Sequence, residues 1–128
     1  MKILGIDYGR SKVGLALSEG FLSEPLKVIR YKDAKVLLGE IKQIIEKEDV
    51  GKVVVGVSEG KMGEESSKFA EGVSLETGAI VETFDETLTS HDAQALSIEA
   101  GIGRKKRHEM EDAYAAAIML QNYLDSQA

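Results

Sequence analysis

Apolar and polar positions change period several times along this 128-residue chain, and each period predicts an element. Residues 2–8 are apolar and β-prone. The turn-forming Gly9-Arg10-Ser11-Lys12 follows, then Val13–Ser18, close enough to pair with the first run as an antiparallel hairpin. A third run, Leu26–Tyr31, comes after the only proline, Pro25, so the first three strands read as a meander. The period then becomes helical: Asp33 can cap a helix carrying Val36, Leu37, Ile41, Ile44 and Ile45. Lys52–Val57 is a continuous Val-rich run, as expected of a strand buried on both faces. Gly63–Thr77 predicts a weaker helix that contains Gly72 and relies on Phe69, Ala70 and Val73. Ala79–Phe84 predicts a fifth strand. Thr89 and Asp92 resemble a capping box before Ala93, Leu96 and Ala100. The basic, glycine-flanked segment Gly101–Arg107 separates that helix from a final one, about Glu109–Leu124.

The order βββαβαβαα predicts an α/β fold with a mixed five-stranded sheet, three antiparallel strands and then parallel ones, and helices on both faces. The length suits one domain, 1–128, and not two with a cleft between them. In such sheets ligands gather near the carboxyl ends of strands. Asp7, late in the first strand, and Glu86, just past the fifth, meet at that edge if those strands are parallel neighbours.

Three acids interrupt apolar settings. Asp7 follows Ile3–Ile6, Glu86 follows AIVETF, and Asp112 has Ala115, Ala116 and Met119 at i+3, i+4 and i+7. Each has an ordinary explanation: a turn for Asp7, a helix start for Glu86, the helix dipole for Asp112. Together they stand at three element ends expected to converge. Charges among apolar groups need a partner, and a divalent cation is one that three carboxylates can share.

Composition narrows the chemistry. Without cysteine there is no disulfide, thiol nucleophile or thiolate zinc site, and His91 and His108 lack a partner at ligand spacing. The stretch Gly56–Gly63 has glycines but not the order of a phosphate-binding P-loop. A net charge of −6 argues against coating nucleic acid through bulk electrostatics. Arg104-Lys105-Lys106-Arg107 is the dense basic cluster, either a solvated loop or the local cations a phosphate backbone needs to approach an acidic site. Arg10 and Lys12 are further candidate nucleic-acid contacts. No apolar run approaches ~20 residues, so neither a membrane span nor a signal peptide is expected and the chain reads as cytoplasmic.

The segments ILGIDYGRSKVGLALS, VVVGVSEGKMG, FDETLTS and GRKKRHEMEDAYAAAIMLQNYLD resemble, in order and over nearly the whole chain, the YqgF family, also called RuvX, of the RNase H-like nuclease superfamily. The resemblance implies an RNase H-like fold and metal-dependent hydrolysis of phosphodiester bonds. Asp7 matches the first-strand acid, Glu86 the acid of a D-E-R-type motif and Asp112 the last-helix acid. These would hold one or two Mg²⁺ or Mn²⁺ ions, and Glu109, three residues before Asp112, is a candidate fourth ligand. Implied substrates are structured RNA, in 5′-end maturation of the small-subunit ribosomal RNA precursor, or branched DNA, as in a Holliday junction resolvase. A ribosomal particle is a further candidate partner, and the oligomeric state is open: a monomer can process a single RNA strand, whereas symmetric cutting of a four-way junction favours a homodimer. Thr87 stands where the family often has Arg, and SEGKMG differs from the usual middle loop. A noncatalytic module that docks on nucleic acid is the competing class, separated by metal-dependent cleavage.

Overall fold

The computed structural model describes residues 1–57, 60–85 and 104–127, with side chains of the last stretch from 109 onward. Strand β1 (Lys2–Asp7) forms a hairpin with β2 (Lys12–Ser18), and β3 (Ser23–Arg30) continues antiparallel to β2. β3 begins at Ser23, ahead of the expected Leu26, and takes in Pro25 opposite Ala16. The proline is tolerated because β3 is an edge strand and the register shifts between Leu15 and Ala16.

Helix α1 (Ala34–Glu48) is capped as expected, Asp33 Oδ1 accepting from the Lys35 N–H at 2.9 Å. Leu37 and Ile41 face the core, while Val36, a third of a turn away, is exposed. β4 (Val50–Val57), α2 (Lys61–Thr77), β5 (Ile80–Asp85) and α3 (Arg104–Ser126) complete the described elements. α3 starts at Arg104, ahead of the expected Glu109, so the backbone of Arg104–Arg107 is helical rather than a connecting loop. Arg and Lys favour helix, and neither Gly nor Pro occurs from Arg104 to Ser126. The helix expected around Ala93–Ala100 lies outside the described residues.

The sheet order is β3-β2-β1-β4-β5, with β4 parallel to both β1 and β5. β1 and β5 are therefore parallel but not neighbours, which corrects the expectation from the sequence. The valines of β4 decide this: Val53, Val54 and Val55 are wholly buried, and a strand covered on both faces belongs between two others. The crossovers through α1 and α2 advance in the same direction, so right-handedness puts both helices on one face. There Leu4, Ile6, Val13, Leu15, Val53 and Val55 meet Leu37, Ile41, Ala70 and Val73. α3 packs on the other face, where Ile3, Ala16 and Val54 meet Ala116, Ala117, Met119, Leu120 and Tyr123.

Candidate active site

Alternation along β1 directs its residues to the two cores in turn. Ile3 packs against α3, and a side chain on Gly5 would meet Leu120 of that helix, so Asp7 belongs to the α3 face. In register, Asp7 lies between Gly14 of β2 and Gly56 of β4, and Gly56 pairs with Phe84 of β5. The half-buried Asp7 is thus flanked on both strands by residues without side chains, at the carboxyl end of the parallel strands.

α3 reaches this row because its sheet-facing side is small. Ala113, Ala116 and Ala117 are buried, and the helix comes so close to β2 that a Cβ on Gly14 would stand 1.9 Å from the Asp112 carbonyl oxygen. Gly14 is therefore shared: it pairs with Asp7 and receives the Asp112 backbone. The Asp112 carboxylate is bound by Lys12, whose Nζ lies 2.9 Å from Oδ2. Farther along, Gln121 accepts from the Ser23 N–H at 2.9 Å through Oε1, and the Ser23 hydroxyl donates to the Ala117 carbonyl. These bonds tie α3 to the start of β3.

The turn between β1 and β2 is clamped from the opposite side. Tyr8 stacks on Phe69 of α2 with ring centroids 4.5 Å apart, the Tyr31 hydroxyl donates to the Gly9 carbonyl, and Arg10 forks onto Glu65, Nη2 to Oε2 being 2.8 Å. Hydrogen bonding from Arg10 holds the Glu65 carboxyl below its ordinary range, and burial, above all, pushes the Tyr31 phenol up. Arg10 also lines, with Lys61, Glu64, Glu65 and Lys68, a groove of about 290 Å³. Both candidate cations of the turn thus sit on carboxylates. Sequence reasoning missed these partners, which lie far away in the chain and leave no local pattern.

A second polar cluster pins α3 lower on the same face. Tyr123 donates to Glu82 Oε2 at 2.6 Å, and Lys52 Nζ lies 3.0 Å from Glu82 Oε1 and 2.9 Å from the Tyr123 oxygen. Its links to β4 and β5 make it a structural lock.

Of the expected acids, the structure places Asp7 and Asp112 about Gly14, while Glu86 lies outside the described residues. Glu109 is exposed, one turn before Asp112. The side chains of Arg104, Lys105, Lys106 and Arg107, and all of Ser58, Thr87 and His91, are likewise outside the described residues. Among the described residues no three acids or histidines converge as a metal cluster. The hard carboxylate oxygens of Asp7 and Asp112 nonetheless suit Mg²⁺ or Mn²⁺, and a cation already satisfies Asp112.

A family model described as RuvX, Holliday junction resolvase, matches residues 1–126. The protein of Clostridioides difficile (strain 630) described as "Putative pre-16S rRNA nuclease" is 37% identical over 132 residues, spanning 97% of this chain and 94% of its own. A relative of the same description from Thermoanaerobacter pseudethanolicus is 37% identical over 136 residues, spanning 99% and 98%. Among solved structures, T. thermophilus RuvC in complex with Holliday junction substrate aligns at TM-score 0.66 with 16% identity, over 100% of this chain and 97% of that one. The fowlpox virus Holliday junction resolvase aligns at 0.64 with 12% identity, over 100% of both. At these identities the structures speak to the fold, which is the RNase H-like architecture the resemblance implies.

Proposed function

From the membership of this chain in the RuvX family, we propose that it is a nuclease of one domain, 1–128, that hydrolyses phosphodiester bonds with Asp7, Glu86 and Asp112 around one or two Mg²⁺ or Mn²⁺ ions. The observation that carries this reading is that the backbones of Asp7 and Asp112, on elements about a hundred residues apart in sequence, both meet Gly14. Glu86 follows β5 directly in the chain, and β5 runs parallel to β1 with Asp85 as its last residue. A bound divalent ion would activate water and stabilise the departing oxygen. The chain's own part is placement: Asp7 rides on a central strand and Asp112 on a helix jammed against β2, its carboxylate paired with Lys12.

The relatives' description points to precursor 16S ribosomal RNA as substrate; we place that step in the cytoplasm, on the free RNA or on a ribosomal particle. Arg104–Arg107 open α3 ahead of Asp112, at roughly 7.5 to 12 Å along the axis at 1.5 Å per residue, a reach suited to the flanking phosphates. Arg10 and Lys12 would join them after leaving their carboxylates. One acidic centre suffices for a single RNA strand, so a monomer serves this substrate. Symmetric cutting of a four-way DNA junction, the second reading favoured by the family description, needs a dimer. Among the described residues no helix is long and apolar enough to cross a membrane.

The test compares wild type with Asp7→Asn and Asp112→Asn on labelled precursor RNA and a four-way junction, with Mg²⁺, Mn²⁺ or EDTA. Metal-dependent cleavage falling at least about a hundredfold in both variants is expected, the size of a lost charge-stabilising group. Absence of cleavage by the folded wild type on either substrate would favour a docking module. Glu109→Gln in the same assay reports on a fourth ligand, and unchanged metal affinity and rate would remove it from the site.

A further inference from the structure

The backbones of Asp7 and Asp112 both meet Gly14, and the Lys12 ammonium pairs with the Asp112 carboxylate. Lys12 opens β2, where its backbone is fixed opposite Arg30, and its Nζ reaches 2.9 Å from Asp112 Oδ2. Asp112 cannot retreat easily, because its own carbonyl fills the space a Gly14 side chain would take. Asp7 stands across the ladder from Gly14 on the same face. A lysine ammonium is a compact point charge on a flexible stem, so it can satisfy a carboxylate and also leave it.

We propose that Lys12 is a resident counter-cation of the acidic site: it holds Asp112 while no divalent ion is bound, and transfers to a phosphate oxygen when metal and nucleic acid arrive together. This rests on the metal-site reading above. A cation at Asp112 shares the carboxylate that Nζ now holds, and two cations at one carboxylate repel, so Lys12 weakens metal binding to the free protein. The side chains are 38% and 29% exposed, so the pair opens without unfolding. An exposed ion pair is worth a factor of about five at most, which bounds the effect. An incoming phosphate gives the displaced ammonium a new acceptor, so nucleic acid tightens metal binding, and by reciprocity metal tightens nucleic-acid binding by the same factor. Lys12 acts here as a positioning residue that couples the two ligands.

The experiment is a calorimetric Mn²⁺ titration of wild type, Lys12→Gln and Lys12→Met. It is run with and without a short single-stranded 2′-O-methyl RNA, checked intact afterwards, with the RNA's own Mn²⁺ uptake subtracted. Lys12→Met keeps the aliphatic stem if glutamine disturbs folding. The neutral variants are expected to bind Mn²⁺ about two- to fivefold more tightly than wild type without RNA. RNA should tighten Mn²⁺ binding to wild type by up to about fivefold more than it tightens binding to the variants. Equal or weaker Mn²⁺ binding in both folded variants overturns the proposal, as does tighter binding with the RNA effect intact, which would reduce Lys12 to background charge. Asp7→Asn and Asp112→Asn separate the two levels. Mn²⁺ binding that needs the acids but ignores Lys12 overturns only this inference, whereas binding indifferent to both acids overturns the metal site with it.

Discussion

Replacing Gly14 with alanine should displace Asp112 and show how closely cleavage depends on the seating of α3. The added Cβ would lie 1.9 Å from the Asp112 carbonyl oxygen, 2.2 Å from its carbon and 2.8 Å from the Ala113 nitrogen. All three are backbone atoms, so no side chain can rotate away, and the helix must retreat by roughly 1 Å or more at this point to reach an ordinary contact. Overpacking of this kind costs about 1–3 kcal/mol, or a fall in melting temperature of roughly 4–12 °C for a chain of this size. Its effect on catalysis is larger, since a displacement of about 1 Å in a catalytic group costs on the order of a hundredfold. The assay pairs thermal denaturation with cleavage well below the variant's melting point, so that the rate reports on geometry rather than on the folded fraction. Gly5→Ala is the control: its Cβ would meet the Leu120 side chain, 2.9 Å from Cβ and 3.2 Å from Cδ2, which can yield in part. It should lose stability with a rate loss under about tenfold. A Gly14→Ala protein with wild-type stability and wild-type cleavage would refute the close approach and the placement of Asp112 that depends on it.

Two further outcomes follow from the scaffold. Gly39 lies inside α1 with nothing within 4 Å of an added Cβ, so Gly39→Ala should raise stability by about 0.5–1 kcal/mol, read as a higher urea midpoint. A lower midpoint would show that the helix needs the glycine for a contact. Hydrogen bonds from Tyr123 and then Lys52 hold the Glu82 carboxyl below its ordinary value of 4.5. Its stabilising contribution is therefore complete above that pH and is lost as pH falls through the lowered value. The stability gap between wild type and Glu82→Gln should be widest near pH 7 and close toward pH 3. A gap that does not change with pH would mean that the carboxylate charge contributes nothing to the lock.

Much of the fold was legible in periodicity, and the exceptions have identifiable causes. Asp33 as a cap, the buried valines of β4 and the hairpin after Asp7 are local matters, decided by residues within a few positions of one another. Pro25 obscured the start of β3, because proline argues against a strand until the strand is known to be an edge. The basic segment resembled a loop because charge density and the preceding glycines outweighed the intrinsic helix preference of Arg and Lys.

The sequence by itself determined which residues carry the candidate chemistry: Asp7 and Asp112 were marked by apolar neighbours, and the ordered motifs resemble one family along the chain. Tertiary structure decided what those residues touch. That β4 separates β1 from β5, that Gly14 admits the Asp112 backbone, and that Lys12 and Arg10 rest on Asp112 and Glu65 are contacts between distant segments. Such contacts depend on how two layers of helix meet a twisted sheet, which no local period encodes.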